Sequence, residues 1–175
     1  MPTPFKHPIY VTRPFLPPLE DFKQGLQKIW DNAWLTNNGP VVQRYQQALC
    51  RHFGTENLCL FNNGMLALQI ALQGMQLSGE VITTPMTFCA TVNTIIHAGA
   101  TPVLVDCDRD TMLIDPQRIE DAITPRTRAI VPVHFCGRAC DMEAIGDIAE
   151  AIIAEGGLTI THMVGDQCYV DVLFP

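Results

Sequence analysis

Residues 80–105, EVITTPMTFCATVNTIIHAGATPVLV, decide the fold class. Val81-Ile82-Thr83-Thr84 is a short run rich in β-branched residues and closed by a proline, which reads as a strand. Apolar residues then recur at helical spacing from Phe88 to Ala98, and Gly99 stops the helix. Val103-Leu104-Val105 returns to strand. Two buried strands joined by a crossing helix imply parallel pairing, because parallel neighbours need such a crossover.

The same alternation continues on both sides. Upstream, Leu58-Cys59-Leu60-Phe61 reads as a strand and Met65–Met75 as a largely buried helix. Downstream come a short helix from Pro116 to Ile123 opened by Asp115, a strand at Ala129–Val133 and a helix from Met142 to Ala154. Pro132 sits awkwardly inside that last strand, since it has no N–H to give to a ladder. The expected class is α/β: a mainly parallel sheet with helices on both faces. Two amphipathic helices precede it. One carries Leu19, Phe22, Leu26, Ile29 and Trp30; Asn37-Asn38-Gly39-Pro40 breaks it, and the second runs from Val41 to Phe53 before Gly54. Residues 1–18 are rich in proline and read as an extended arm. Residues 158–175 allow one strand, Leu158–Val164, and then an apolar group at Val170–Phe174, with no further helix to cover the sheet. Such a chain is expected to associate with a partner or with itself.

Charge and composition narrow the function. The 175 residues carry a formal charge of −7 and a pI near 5.0, which argues against binding nucleic acid or an anionic membrane surface. No apolar run reaches membrane-spanning length, and no secretory leader is visible at the start. Seven cysteines are scattered through apolar stretches rather than paired, so a reducing cytoplasm is the expected compartment. Lysine occurs only at positions 6, 23 and 28.

Three places could carry chemistry. Asn62-Asn63-Gly64 joins a strand to an apolar helix, where free N–H groups and the helix dipole favour an anion; the same residues also suit a plain tight turn. Phe88 follows a strand's carboxyl end, where ligands gather in open α/β sheets, and there an aromatic ring can stack on a planar cofactor; the competing reading is a core phenylalanine. His134-x-Cys136-x3-Cys140 suggests a metal but lacks a fourth ligand at any usual spacing, so a bend at Gly137 followed by an Asp141 helix cap describes it better. No metal site is expected, and Asp106, Asp108 and Asp110 read as a solvated turn. There is no GxSxG, P-loop or GxGxxG.

TRPFLPPLE, IWDNAWLTNNGP, FNNGMLALQIALQ, GEVITTPMTFCATVNTIIHAGATPVLVDCD and IDPQRIEDAITPRTRAIVPVHFCGRACDMEAI, in this order, resemble the DegT/DnrJ/EryC1/StrS sugar aminotransferases over about residues 9–150. The resemblance implies the aspartate-aminotransferase-like fold, with residues 19–157 as a partial large domain and 158–175 as a divergent tail. It implies pyridoxal 5'-phosphate as cofactor, a nucleotide-linked keto-deoxy sugar and an amino donor such as glutamate as substrates, and a homodimer. WLTNNGP and GEVITTPMTF look most like enzymes that aminate C4 of a dTDP-4-keto-6-deoxy sugar. Gly64, Met65 and Leu66 match the phosphate-binding turn, with Met65 where the family has a threonine hydroxyl. Phe88 matches the aromatic that stacks on the pyridine ring, and Thr36 and Asn37 match a loop at the substrate mouth.

The same resemblance implies groups that this sequence does not supply. The family's pyridinium-pairing aspartate would fall near Gly157–Val164, where no carboxylate stands, and its cofactor-bonding lysine lies farther on than this chain runs. No catalytic residue is therefore assigned. The divergent tail reads as a shifted frame or an early stop in a longer gene, which leaves a second expectation: a non-catalytic fragment, or a partner subunit of a complete family member.

Overall fold

The computed structural model describes residues 7, 10, 13–154, 160–161 and 171–172. They form two compact units, divided between Cys59 and Leu60.

The first unit holds helices α1 (Leu19–Asn32) and α2 (Pro40–Phe53). Glu20 and Asp21 sit in the first turn of α1, where the dipole favours negative charge. The helix ends at Ala33, which turns left-handed (φ 53°). Proline opens α2 at its first position, where its missing N–H costs nothing, and Gly54 closes it at φ 66° with its N–H on the Cys50 carbonyl. The expected apolar stripe on α1 is present, yet neither helix buries a residue; Phe22, Leu26, Trp30 and Tyr45 are all exposed.

The second unit is α/β. Its elements are α3 (Gly64–Gly74), β1 (Glu80–Thr83), α4 (Ala90–His97), β2 (Thr101–Leu104), α5 (Pro116–Ala122), β3 (Thr127–Val131), α6 (Met142–Ala154), β4 (Ile160–Thr161) and β5 (Asp171–Val172). The first three strands make a parallel sheet in the order β2-β1-β3. Side-chain alternation along it supplies two cores. Val81, Ala129 and Val131 pack with Leu68 and Leu72 of α3 and Ile95 of α4. Ile82 and Ile130 point the other way and pack with Ile119 of α5 and Ile145 and Ile148 of α6. Helices thus cover both faces, as the sequence pattern requires.

Several boundaries differ from expectation for identifiable reasons. Leu58–Phe61 is not a strand: no described strand pairs with it, and an apolar alternation without a ladder partner does not make a strand. β3 ends at Val131, so Pro132 falls just beyond it and no ladder donor is lost. Pro102 lies inside β2, which tolerates it as an edge strand. α4 begins two residues after Phe88. Of the expected strand at Leu158–Val164, Ile160–Thr161 pairs antiparallel with Asp171–Val172; its other residues, like most of the arm and tail, lie outside the described residues.

The amino ends of the strands are clamped by Glu80. Its side chain is 9% exposed, and Oε2 accepts from Thr124 Oγ1 at 2.5 Å. Oε1 accepts from Arg126 Nε at 2.9 Å, with Nη2 of the same guanidinium also on it. A Cβ on the preceding Gly79 (φ 136°) would meet the Arg126 carbonyl at 2.5 Å, so glycine is required for this approach. The Thr124 hydroxyl, then Arg126, hold the Glu80 carboxyl below the ordinary glutamate range. A carboxylate whose folded pKa is lowered stabilises the fold above its unfolded pKa and loses that contribution as pH falls through the folded value. Glu80→Gln is therefore expected to unfold at lower temperature than the parent at pH 7, with the difference shrinking as both are acidified below about pH 4. Thermal unfolding across a pH series checks this; a difference that stays constant with pH contradicts it.

Candidate functional site

The carboxyl edge of the sheet is where this topology gathers loops. Only a five-residue link joins α3 to the start of β1, so α3 runs back along the sheet and its amino end lies toward the edge where β1 finishes. A cross-link supports the same alignment for α4: Gln73 Nε2, at the end of α3, donates to the carbonyl of His97, the last residue of α4. With their carboxyl ends joined, the two helices run side by side in the same sense. Gly64 and Ala90 consequently open toward one edge, together with the turn that carries Phe88.

At the start of α3, Asn63 is extended, and its Oδ1 accepts from Leu66 N–H at 2.9 Å. Of the three amides singled out in the sequence, Leu66 is thus held by a neutral cap. Gly64 and Met65 occupy the first turn, whose N–H groups have no intrahelical acceptor. The turn between β1 and α4 is tied internally: Met86 N–H donates to Thr84 Oγ1 at 3.1 Å, and the Thr87 and Thr91 hydroxyls bond at 2.8 Å. Phe88, at its tip, is 78% exposed. The core reading of Phe88 is excluded; its ring is displayed at the rim.

Thr36 and Asn37 belong to the first unit. The Thr36 carbonyl accepts from Trp34 Nε1 at 2.6 Å, and Asn37 is left-handed at φ 45°. The structure describes this loop within its own unit, apart from Gly64 and Phe88 in the other.

The His134–Cys140 segment is built as a turn. His134, buried after β3, accepts at Nδ1 from Cys140 N–H at 2.9 Å, and Cys140 Sγ donates to the Val133 carbonyl. Gly137 bends at φ 76°, and Asp141 Oδ1 accepts from Ala144 N–H to cap α6. The acidic stretch is likewise a local turn: Asp108 Oδ1 accepts from Thr111 N and Oγ1 and from Asp110 N, and these bonds, those from Thr111 first, lower its pKa. Among the described residues no group of three or more His, Cys, Asp or Glu is arranged to hold a metal, and no helix is long and apolar enough to cross a membrane.

Residues 19–155 match the family model described as the DegT/DnrJ/EryC1/StrS aminotransferase family. The chain belongs to that family. It is 52% identical over 143 residues to the dTDP-4-amino-4,6-dideoxy-D-glucose transaminase of Shigella dysenteriae, a match covering 82% of this chain and 39% of that protein. Among solved structures it resembles DesI in the presence of its TDP-sugar product, with a TM-score of 0.75 and 33% identity over 89% of this chain and 39% of that one. It also resembles NtdA from Bacillus subtilis with bound cofactor PMP, with a TM-score of 0.70 and 29% identity over 81% of this chain and 32% of that one. The chain thus spans about two fifths of the length of its curated relatives. These likenesses support the resemblance and the fold class read from the sequence.

Thr84 Oγ1 also lies 2.7 Å from Cys107 Sγ, a contact for which the doubled threonine before Pro85 is the one signal in the sequence. Cys140 is 5% exposed, and desolvation pushes its thiol up to about 11. The thiolate is the nucleophile, so at pH 8 iodoacetamide is expected to modify the exposed Cys59, Cys89 and Cys136 while sparing Cys140 in the folded chain. Peptide mapping of the alkylated protein checks this; labelling of Cys140 as fast as Cys89 contradicts it.

Proposed function

We propose that this chain carries the phosphate- and ring-binding part of a pyridoxal-phosphate-dependent aminotransferase that acts on a nucleotide-linked keto-deoxy sugar, with C4 of a dTDP-4-keto-6-deoxy sugar as the site of amination. The observation that carries the reading is Phe88, a large aromatic displayed at the carboxyl edge of a fully buried parallel strand. The identity to a dTDP-sugar transaminase and the likeness to a PMP-bound structure support it.

The residues present fit part of the cofactor. Gly64 and Met65 N–H would hold its phosphate, together with Leu66 N–H once Asn63 yields it, because a charged acceptor binds such donors more strongly than a neutral one. Phe88 would hold the ring face. Met65 offers no hydroxyl. When bound, pyridoxal phosphate supplies an electron sink through which an amino group passes from a donor such as glutamate to the keto sugar. This chain's residues bind and orient; none of them is assigned a proton-transfer step. Thr36 and Asn37 are proposed to line the substrate mouth, and a homodimer to complete the site. We also propose an arm at 1–18, a partial large domain at 19–157 and a divergent tail at 158–175, in a protein of the cytoplasm.

A second reading has its own observation. All three lysines precede residue 29, in the arm and α1, away from the second unit's sequence altogether. On this second reading these 175 residues, taken by themselves, bind without transaminating, as a fragment or as the partner of a complete family member. Two outcomes follow. Borohydride treatment with pyridoxal phosphate is expected to leave no stoichiometric adduct on a single lysine by peptide mass mapping. Phe88→Ala is expected to weaken pyridoxal phosphate binding by about 2- to 10-fold, the worth of one stacked pair, and to leave inorganic phosphate binding unchanged in calorimetry. A site-specific lysine adduct, or equal binding by Phe88→Ala, contradicts the respective reading.

A further inference from the structure

Thr84 is 1% exposed, so its hydroxyl cannot turn to water. One lone pair of Oγ1 accepts from Met86 N–H at 3.1 Å. The only side-chain partner of that hydroxyl among the described residues is Cys107 Sγ, 2.7 Å away on the loop after β2. Either group can donate across this contact, and among the described residues sulfur is the one acceptor within reach of the hydroxyl proton. The Met86 bond folds the start of the turn, and the Thr87–Thr91 hydroxyl pair and the Thr91 N–H to Phe88 carbonyl bond close its end. The chain of contacts therefore runs from Cys107 through Thr84 to the segment that displays Phe88.

We infer that Cys107 is a positioning residue for Phe88, holding the β1–α4 turn in register from the neighbouring strand's loop through the buried Thr84 hydroxyl. The inference rests on the reading of Phe88 as the ring-stacking residue. Cys107 itself touches no cofactor atom. Removing its sulfur leaves a buried hydroxyl without an acceptor, and such a group seeks a new partner by moving its own loop. Cys107 is half-buried, so a substitution of similar volume keeps the packing while deleting the acceptor.

The test compares the parent with Cys107→Val, Cys107→Ser and Phe88→Ala, measuring pyridoxal phosphate and inorganic phosphate affinity by calorimetry alongside thermal unfolding. Cys107→Val is expected to weaken pyridoxal phosphate binding by about 3- to 10-fold, within the range of the stacking contact itself, with phosphate binding unchanged. Cys107→Ser, which keeps an acceptor, is expected to stay within about 2-fold of the parent. Equal weakening of both ligands by Cys107→Val would mark a general loss of structure and overturn the inference. So would parental affinity in Cys107→Val, or a Cys107→Ser variant as weak as Cys107→Val. Should Cys107→Val fail to fold, Cys107→Ala replaces it under the same criteria: selective loss of pyridoxal phosphate binding supports the inference, and parental affinity or equal weakening of both ligands overturns it. If Phe88→Ala binds like the parent while Cys107→Val does not, the reading of Phe88 fails first and takes this inference with it.

Discussion

Burying β1 along its whole length, on both faces, constrains everything else in the second unit. A strand with no solvent-facing side must satisfy its backbone by pairing on both edges, and here β2 and β3 supply parallel ladders. Each face must also be covered. Val81 looks toward α3 and α4, and Ile82 toward α5 and α6. Crossing helices are the natural cover, because parallel strands can be joined only by a segment long enough to return to the starting edge. The return path then sends the carboxyl ends of β1, β2 and β3 toward the same rim.

That arrangement separates the two ends of the sheet by role. At the amino end Glu80 is bound by Thr124 and Arg126 above Gly79, so its carboxylate is spent on holding the strands. At the carboxyl end the polar groups are divided differently. Thr83, Thr84, Thr91 and Thr94 are buried, and their hydroxyls are spent on Val131, Cys107, Thr87 and Thr91. Rigid support lies beneath, while an aromatic ring and a helix amino terminus face outward. A planar anionic ligand needs that combination: fixed donors for its charge and an apolar face for its ring.

The first unit follows another logic. Its helices are defined by their ends, through Pro40, Gly54 and the left-handed Ala33, and not by burial. Helices of fourteen residues gain most of their stability in proteins from packing an apolar face. Here that face, with Phe22, Leu26, Trp30 and Tyr45, is exposed. The sequence periodicity is thus fully expressed as local structure, without a core of its own.

Local patterns determined a great deal on their own. The α/β class, both amino-terminal helices, Asp115 and Asp141 as caps, Gly54 as a stop and the His134–Cys140 bend all come from short-range chemistry: 3.6-residue periodicity, side-chain caps and glycine turns act within a few residues and are written in them. The family, too, is legible in the order of quoted motifs. Pairing is different, because a strand exists only when another segment lies beside it. Leu58–Phe61 has a strand's alternation and no ladder, and Pro132 marks an end where the run of apolar residues suggested a middle. Burial also belongs to the tertiary level. Phe88 reads as a core residue as readily as an exposed one until the turn after β1 leaves it uncovered, and nothing in the sequence pairs Cys107 with Thr84, 23 residues earlier in the chain. Contacts of that span depend on how the strands are ordered in the sheet, and no window of neighbouring residues encodes that order.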